Sequence, residues 1–244
     1  MTYCVGMRLN RGLIFMSDTR TNAGVDNIST FRKMHSFEVP GERFITIMTA
    51  GNLATTQAVI SLLEERTKAP EDRSPSILEA PSMFQVARLI GDTLRKVIDY
   101  NANSGQRADA TFNANIIVGG QIAGSEPRLF MIYPEGNFIE ASTDTPFFQI
   151  GETKYGKPIL VRAYEPDMSW EAAVKLLLVS FDSTIKANLS VGLPLDVQTY
   201  DIDSCKAGLK RRIGGDDPYF QTISTGWGTA LKSAFDSLPD IDLS

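Results

Sequence analysis

The chain has 244 residues, 43% of them apolar, and a formal net charge of −5, which is enough apolar chain to close one core, so a single domain over residues 1–244 is expected. An acidic balance with interspersed signs argues against a nucleic-acid surface, which needs clustered Lys and Arg, and no apolar run approaches the roughly 20 residues of a membrane-crossing helix. The single histidine, His35, leaves serine and cysteine hydrolases with one imidazole for the base and catalytic zinc sites short of ligands.

Thr2–Leu9 reads as a strand, the turn Asn10-Arg11-Gly12 follows, and Leu13–Met16 reads as the returning strand of a hairpin. Phe44–Met48 is a further strand that stops at Thr49-Ala50-Gly51-Asn52, after which helical spacing puts Ala58, Val59, Leu62 and Leu63 on one stripe. A break rich in Pro and charge runs from Pro70 to Pro81, and a second helix carries Val86, Ile90, Leu94 and Val97. Four strand-like runs come next: Phe112–Val118, Arg128–Tyr133, Asn137–Ala141 and Phe147–Ile150. Gly119-Gly120, Pro134-Glu135-Gly136 and Asp144 with Pro146 serve as the turns. Ser169 caps a third helix lined by Val174, Leu177, Leu178, Phe181 and Ile185. Strand-like Val197–Ile202 and Tyr219–Ile223 precede a last helix over Gly228–Leu238. Segregated blocks of hairpins and helices imply an α+β fold, and two sheets with helices on their outer faces would bury all of these stripes.

The first residues lack the basic-then-apolar order of a secretory signal, so a cytoplasmic protein is expected. Cys4 and Cys205 lie far apart and read as core thiols, with no metal or other cofactor implied. Lys210-Arg211-Arg212, the densest basic run, reads as a solvated turn or a subunit contact.

Thr2 follows the initiator methionine and is small enough for methionine removal, so the mature chain is expected to present a hydroxyl and a free α-amine on one residue. A hydroxyl alone is a weak nucleophile, and an α-amine with an ordinary pKa of roughly 7.7–8.0 can serve as its base near neutral pH. Many chains begin Met-Thr with nothing catalytic there, so position alone decides nothing. Asp18 and Lys33 stand at the ends of strand-like stretches. The hairpin returns Asp18 beside the N-terminus, and a following strand delivers Lys33. A buried lysine paired with that aspartate would lower the proton affinity of the threonine site and orient it, whereas each taken singly is equally an ordinary surface charge. His35, two residues past Lys33, points to the same side of a strand as that lysine and reads as a packing or interface residue.

Thr2-Tyr3-Cys4-Val5-Gly6, Ser17-Asp18-Thr19-Arg20-Thr21-Asn22-Ala23-Gly24, Thr30-Phe31-Arg32-Lys33 and Thr49-Ala50-Gly51, in this order, resemble the proteasome β-subunit family of N-terminal-nucleophile hydrolases. Within that family the pattern is most similar to the bacterial type called Anbu, the ancestral β-subunit. The resemblance implies a four-layer αββα sandwich across nearly the whole chain. It also implies a nucleophile at Thr2, the supporting pair Asp18 and Lys33, an oxyanion donor at Gly51, and Arg20 holding the Asp18 turn. The expected activity is that of a threonine peptidase on peptide or unfolded protein substrates, self-associated into a ring or spiral. The same chemistry would permit an amidohydrolase on a small amide, and the same fold a non-catalytic assembly subunit. Two stretches depart from the family pattern. Gly151-Glu152-Thr153 stands where a Gly-Ser-Gly turn is expected, and both Asp182-Ser183 and Asn188-Leu189-Ser190-Val191-Gly192 compete for the later Asp-x-x-Ser-Gly element.

Overall fold

The computed structural model describes residues 2–22, 28–68, 75–103 and 112–243. Strands β1 (Tyr3–Leu9) and β2 (Gly12–Asp18) form the expected hairpin, with Leu9 paired to Gly12 across a two-residue loop. A short ribbon of β3 (Arg20–Asn22) and β4 (Ile28–Thr30) follows, then β5 (Met34–Val39) and β6 (Arg43–Gly51). Helices α1 (Leu53–Lys68) and α2 (Met83–Asn103) lead to β7 (Ala114–Ile122), β8 (Arg128–Ile132), β9 (Phe138–Glu140) and β10 (Phe147–Gly151). The chain ends with α3 (Lys157–Ala163), α4 (Trp170–Ala187), β11 (Leu195–Asp201), β12 (Lys210–Ile213) and α5 (Pro218–Asp236).

Two five-stranded antiparallel sheets result, ordered β10-β1-β2-β11-β12 and β5-β6-β7-β8-β9. Three apolar layers hold them. Between the sheets lie Cys4, Leu13, Phe15, Met48, Ile117, Leu129 and Tyr200, with the Phe44 and Tyr200 rings stacked 4.7 Å apart. Val59, Leu63, Val86, Ile90 and Leu94 fix α1 and α2 to the outer face of the second sheet, and Leu177 and Phe181 of α4 pack on Tyr3, Val5 and Met7 of the first. Each such side chain contributes roughly 1.5–3 kcal/mol by leaving water. Alternating strand residues therefore face a helix layer and the inter-sheet layer in turn, the αββα arrangement of the expected α+β class.

Several elements differ from the sequence reading. Gly119 and Gly120 lie inside β7, where a Cβ on Gly119 would fall 2.8 Å from the Phe15 ring. Glycine here lets the sheets approach instead of turning the chain. Tyr219–Ile223 is helical, because Asp217 accepts from the amides of Tyr219 and Phe220 and Pro218 opens the first turn, so α5 starts ten residues before Gly228. On α1 the buried stripe is Thr55, Thr56, Val59, Ile60 and Leu63, leaving Leu62 exposed. Lys210–Arg212 belongs to edge strand β12, where Arg211 pairs with Asp217 and Arg212 with Asp196. The start of the Pro-rich break, residues 69–74, lies outside the described residues, as do Ala23 and Gly24. Among the described residues no helix is long and apolar enough to cross a membrane.

Candidate active site

β1 begins, and β2, β6 and β10 finish, at one end of the sandwich, where a cavity of about 860 Å³ opens beside Thr2, Gly51 and Gly151. Thr2, immediately ahead of β1 and 8% exposed, lines it together with Lys33, Thr49, Ala50, Gly51 and Gly151. Thr2 and Asp18 come from the first sheet, whereas Gly51 and Lys33 belong to the second sheet or its approach. The cavity is therefore a product of sheet stacking.

Asp18, the last residue of β2, is fully buried. Its Oδ1 accepts from the Tyr3 amide at 3.0 Å and from Lys33 Nζ at 2.7 Å, and its Oδ2 accepts from the Gly192 amide at 3.3 Å. Burial pushes the Asp18 carboxyl above its ordinary value, while the Lys33 ammonium and the two amides pull against that shift. Lys33 is itself buried and donates a second bond, 2.6 Å, to the Arg20 carbonyl. The charge is thus held by fixed partners beside the threonine. Lys33 sits just before β5, so that strand anchors it without containing it.

Arg20 does not reach Asp18 with its side chain. Its Nη1 donates to the Leu189 carbonyl at 3.1 Å, and the guanidinium lies against Gly192, where an added Cβ would come within 2.3 Å of it. It braces the loop whose Gly192 amide holds Asp18. Gly51, the last residue of β6, has φ +122, and a Cβ there would fall 2.4 Å from the Asn113 carbonyl oxygen. Only glycine fits that backbone.

Glu152 and Asn188 settle the two departures from the family pattern geometrically. The Glu152 amide donates to the Thr2 carbonyl at 2.6 Å, and the Glu152 carboxylate accepts from Asn188 Nδ2 at 2.9 Å and from the Lys154 amide at 3.2 Å. Asn188 is the C-cap of α4. Asp182, by contrast, lies within α4 with its carboxylate 3.2 Å from Lys186 Nζ, and Ser183 accepts from the Trp227 indole. The Asn188–Gly192 stretch, and not Asp182-Ser183, is what the fold brings to Asp18 and Glu152. Below the site, Tyr3 Oη accepts from Gln149 Nε2 at 2.6 Å and lies 2.8 Å from Ser180 Oγ, while burial holds its phenol up to about 12. This network fixes the residue whose amide grips Asp18. Nothing in the local sequence marks Gln149 or Ser180, since their role depends on which strand pairs with β1.

His35 lines the same cavity as Lys33, and burial lowers its pKa against the opposing pull of Glu64. Cys4 and Cys205 are free and buried, and burial raises the Cys4 thiol well above its ordinary range. Among the described residues no group of three or more His, Cys, Asp or Glu side chains is placed to hold a metal ion.

The family model for proteasome subunits matches residues 2–197. The chain belongs to the proteasome subunit family. Solved relatives place it near the Anbu branch. It is 51% identical to Anbu (ancestral beta-subunit) from Yersinia bercovieri, covering 99% of this chain and all of that one at a TM-score of 0.91. It is 48% identical to an Anbu (Gly-1) mutant from Hyphomicrobium sp. strain MC1 over the full length of both chains, TM-score 0.92. It is 47% identical to the chain of a helical assembly of the Anbu complex from Pseudomonas aeruginosa, covering 99% and 98% of the two chains, TM-score 0.92. No curated protein matches the chain significantly.

Proposed function

We propose that this chain is the threonine peptidase subunit of a cytoplasmic, self-assembled Anbu-type particle, a ring or spiral, acting on peptide or unfolded protein substrates after Met1 is removed. The observation that carries this reading is the seating of Thr2 at the end of the cavity, beside a buried Asp18–Lys33 pair. Self-association is supported by the helical assembly named for the Pseudomonas aeruginosa relative.

In the proposed reaction Thr2 Oγ bonds to the carbonyl carbon as its proton passes to the Thr2 α-amine. The Gly51 N–H receives the developing oxyanion, a donor role of the kind that is typically worth 10²–10³ in rate. Collapse expels the leaving amine with that proton and leaves an ester on Thr2. Water, deprotonated by the same amine, attacks the ester, frees the acid and restores the threonine. Lys33 supplies positive charge near the hydroxyl and Asp18 fixes the lysine, so the site needs no imidazole.

Intact-mass spectrometry with a peptide epoxyketone, which requires both the hydroxyl and the free amine of an N-terminal threonine, tests this reading. The expected outcome is loss of Met1 and one adduct on Thr2, abolished in Thr2→Ala with assembly and melting temperature retained. A processed chain that takes no adduct would point to an assembly subunit. Hydrolysis of small acyl amides in preference to peptides would point to the amidohydrolase alternative.

A further inference from the structure

Glu152 is a buried carboxylate, 7% exposed, whose hydrogen-bond partners are the Asn188 side-chain amide and the Lys154 backbone amide, both neutral. Among the described residues no Lys or Arg pairs with it. A carboxylate in such a place is costly unless a positive charge compensates it. The ladder between β1 and β10 pairs Tyr3 with Gly151, and the bond from the Glu152 amide to the Thr2 carbonyl continues it by one step. The backbone of β10 lies so close there that a Cβ on Gly151 would fall 1.9 Å from the Thr2 oxygen. Thr2 and Glu152 are therefore cross-strand neighbours, with Thr2 on the cavity wall.

Among the described residues, the other charged and titratable groups around Thr2 are already committed or lie outward. Asp18 on β2 and Lys33 before β5 neutralise each other. Arg20 on β3 is turned to Leu189. Arg32, His35 on β5 and Glu64 on α1 line the outer part of the cavity, where Arg32 and Glu64 are exposed. On α4, Asp182 pairs with Lys186. Removal of Met1 creates a further cation at this place, the ammonium on Thr2.

We propose that the Glu152 carboxylate is the counter-ion of the Thr2 α-ammonium, positioning the amine and setting the pH at which it becomes a base. Asn188 holds the carboxylate in place from the end of α4. The inference rests on the reading of Thr2 as a processed N-terminus, and it adds a positioning residue to that site. A carboxylate neighbour favours the ammonium form, so the amine becomes an available base at higher pH than it would beside a neutral residue.

The test uses the full chain released at Thr2 from a cleavable fusion, so that the amine exists whatever the cell does with Met1. Competitive labelling with acetic anhydride across pH, with the N-terminal peptide quantified by mass spectrometry, gives the midpoint of the Thr2 amine in protein of any activity. Glu152→Gln, which keeps an acceptor for Asn188, is expected to lower that midpoint by about one pH unit. Lysine midpoints stay fixed as internal controls, and Glu152→Asp keeps the midpoint near the wild-type value. The acid limb of the epoxyketone labelling rate is expected to move with the amine. An unmoved midpoint in a folded Glu152→Gln protein overturns the proposal. Should that variant fail to fold, the wild-type midpoint decides: above the ordinary α-amino range of roughly 7.7–8.0 supports the pairing, and within or below it overturns it. A shifted amine in protein that takes no epoxyketone would sink the peptidase reading alone. Adduct formation with an unmoved midpoint would sink this one alone.

Discussion

Asp18 and Lys33 hold each other in a place where neither charge would be tolerated alone. With Asp18 fully buried and Lys33 nearly so, the pair survives because both carboxylate oxygens are bonded, with the Tyr3 and Gly192 amides helping, and the ammonium also donates to the Arg20 carbonyl. Removing one partner strands the other in low dielectric. Lys33→Met is accordingly expected to cost about 3–5 kcal/mol in denaturant unfolding, far more than loss of a surface ion pair, and to abolish Thr2 labelling even in the folded fraction. A cost under about 1 kcal/mol would mean that Asp18 finds water or another cation. These two residues are readable in the sequence because a short hairpin fixes Asp18 relative to Thr2, whichever way the rest of the chain folds. Glu152 and Asn188 are present in the sequence as departures from a pattern, but their pairing is not. Which of Asp182 and Asn188 reaches Glu152 depends on where α4 ends, and helix ends are the least certain part of any periodicity reading.

At the scale of elements, β10 does most to shape the site. Its pairing with β1 runs through Gly151, which has φ +86 and no room for a Cβ above the Thr2 carbonyl. Gly151→Ala therefore combines a strained backbone with a direct clash. The expected result is a loss of at least 1–3 kcal/mol, with epoxyketone labelling of Thr2 lost more completely than secondary structure by circular dichroism. Labelling at the wild-type rate would show that the end of β10 does not position Thr2. Most elements are legible from apolar spacing alone, including the hairpin and the two helices after β6. The exceptions share a cause: residues whose local preference is overridden by a neighbour. Tyr219–Ile223 has strand-like composition, yet the Asp217 cap and Pro218 commit it to a helix. Gly119-Gly120 has turn composition, yet Gly119 faces Phe15 of the other sheet and Gly120 lies against the Phe44 backbone of the neighbouring strand, and neither leaves room for a side chain.

For the molecule as a whole, the decisive feature is that the site belongs to neither sheet. Thr2 and Asp18 ride on the first, Gly51 ends a strand of the second, and Lys33 is anchored to the second through β5, so the inter-sheet layer and the Asp18–Lys33 pair together set their separation. In that layer Gly119 lets β7 approach Phe15, and a Cβ there would fall 2.8–2.9 Å from Phe15 and Leu129 atoms. Gly119 is remote from the cavity, whose lining does not include it. Gly119→Ala should overpack this layer at a cost of about 1–3 kcal/mol, and the strain must be relieved either by side-chain repacking or by parting of the sheets. The two routes differ at the site. Repacking lowers the melting temperature and leaves Thr2 labelling unchanged, because Gly51 and Thr2 keep their spacing. Parting of the sheets moves Gly51 away from Thr2, and misplacing an oxyanion donor by a fraction of an ångström is costly in rate. Because Phe15 is fully buried and its ring has no free volume to enter, the sheets are expected to give way. Labelling should then slow by at least tenfold under conditions where the protein is still folded. A wild-type labelling rate in a thermally weakened variant would show instead that each sheet edge holds its half of the site without help from the core.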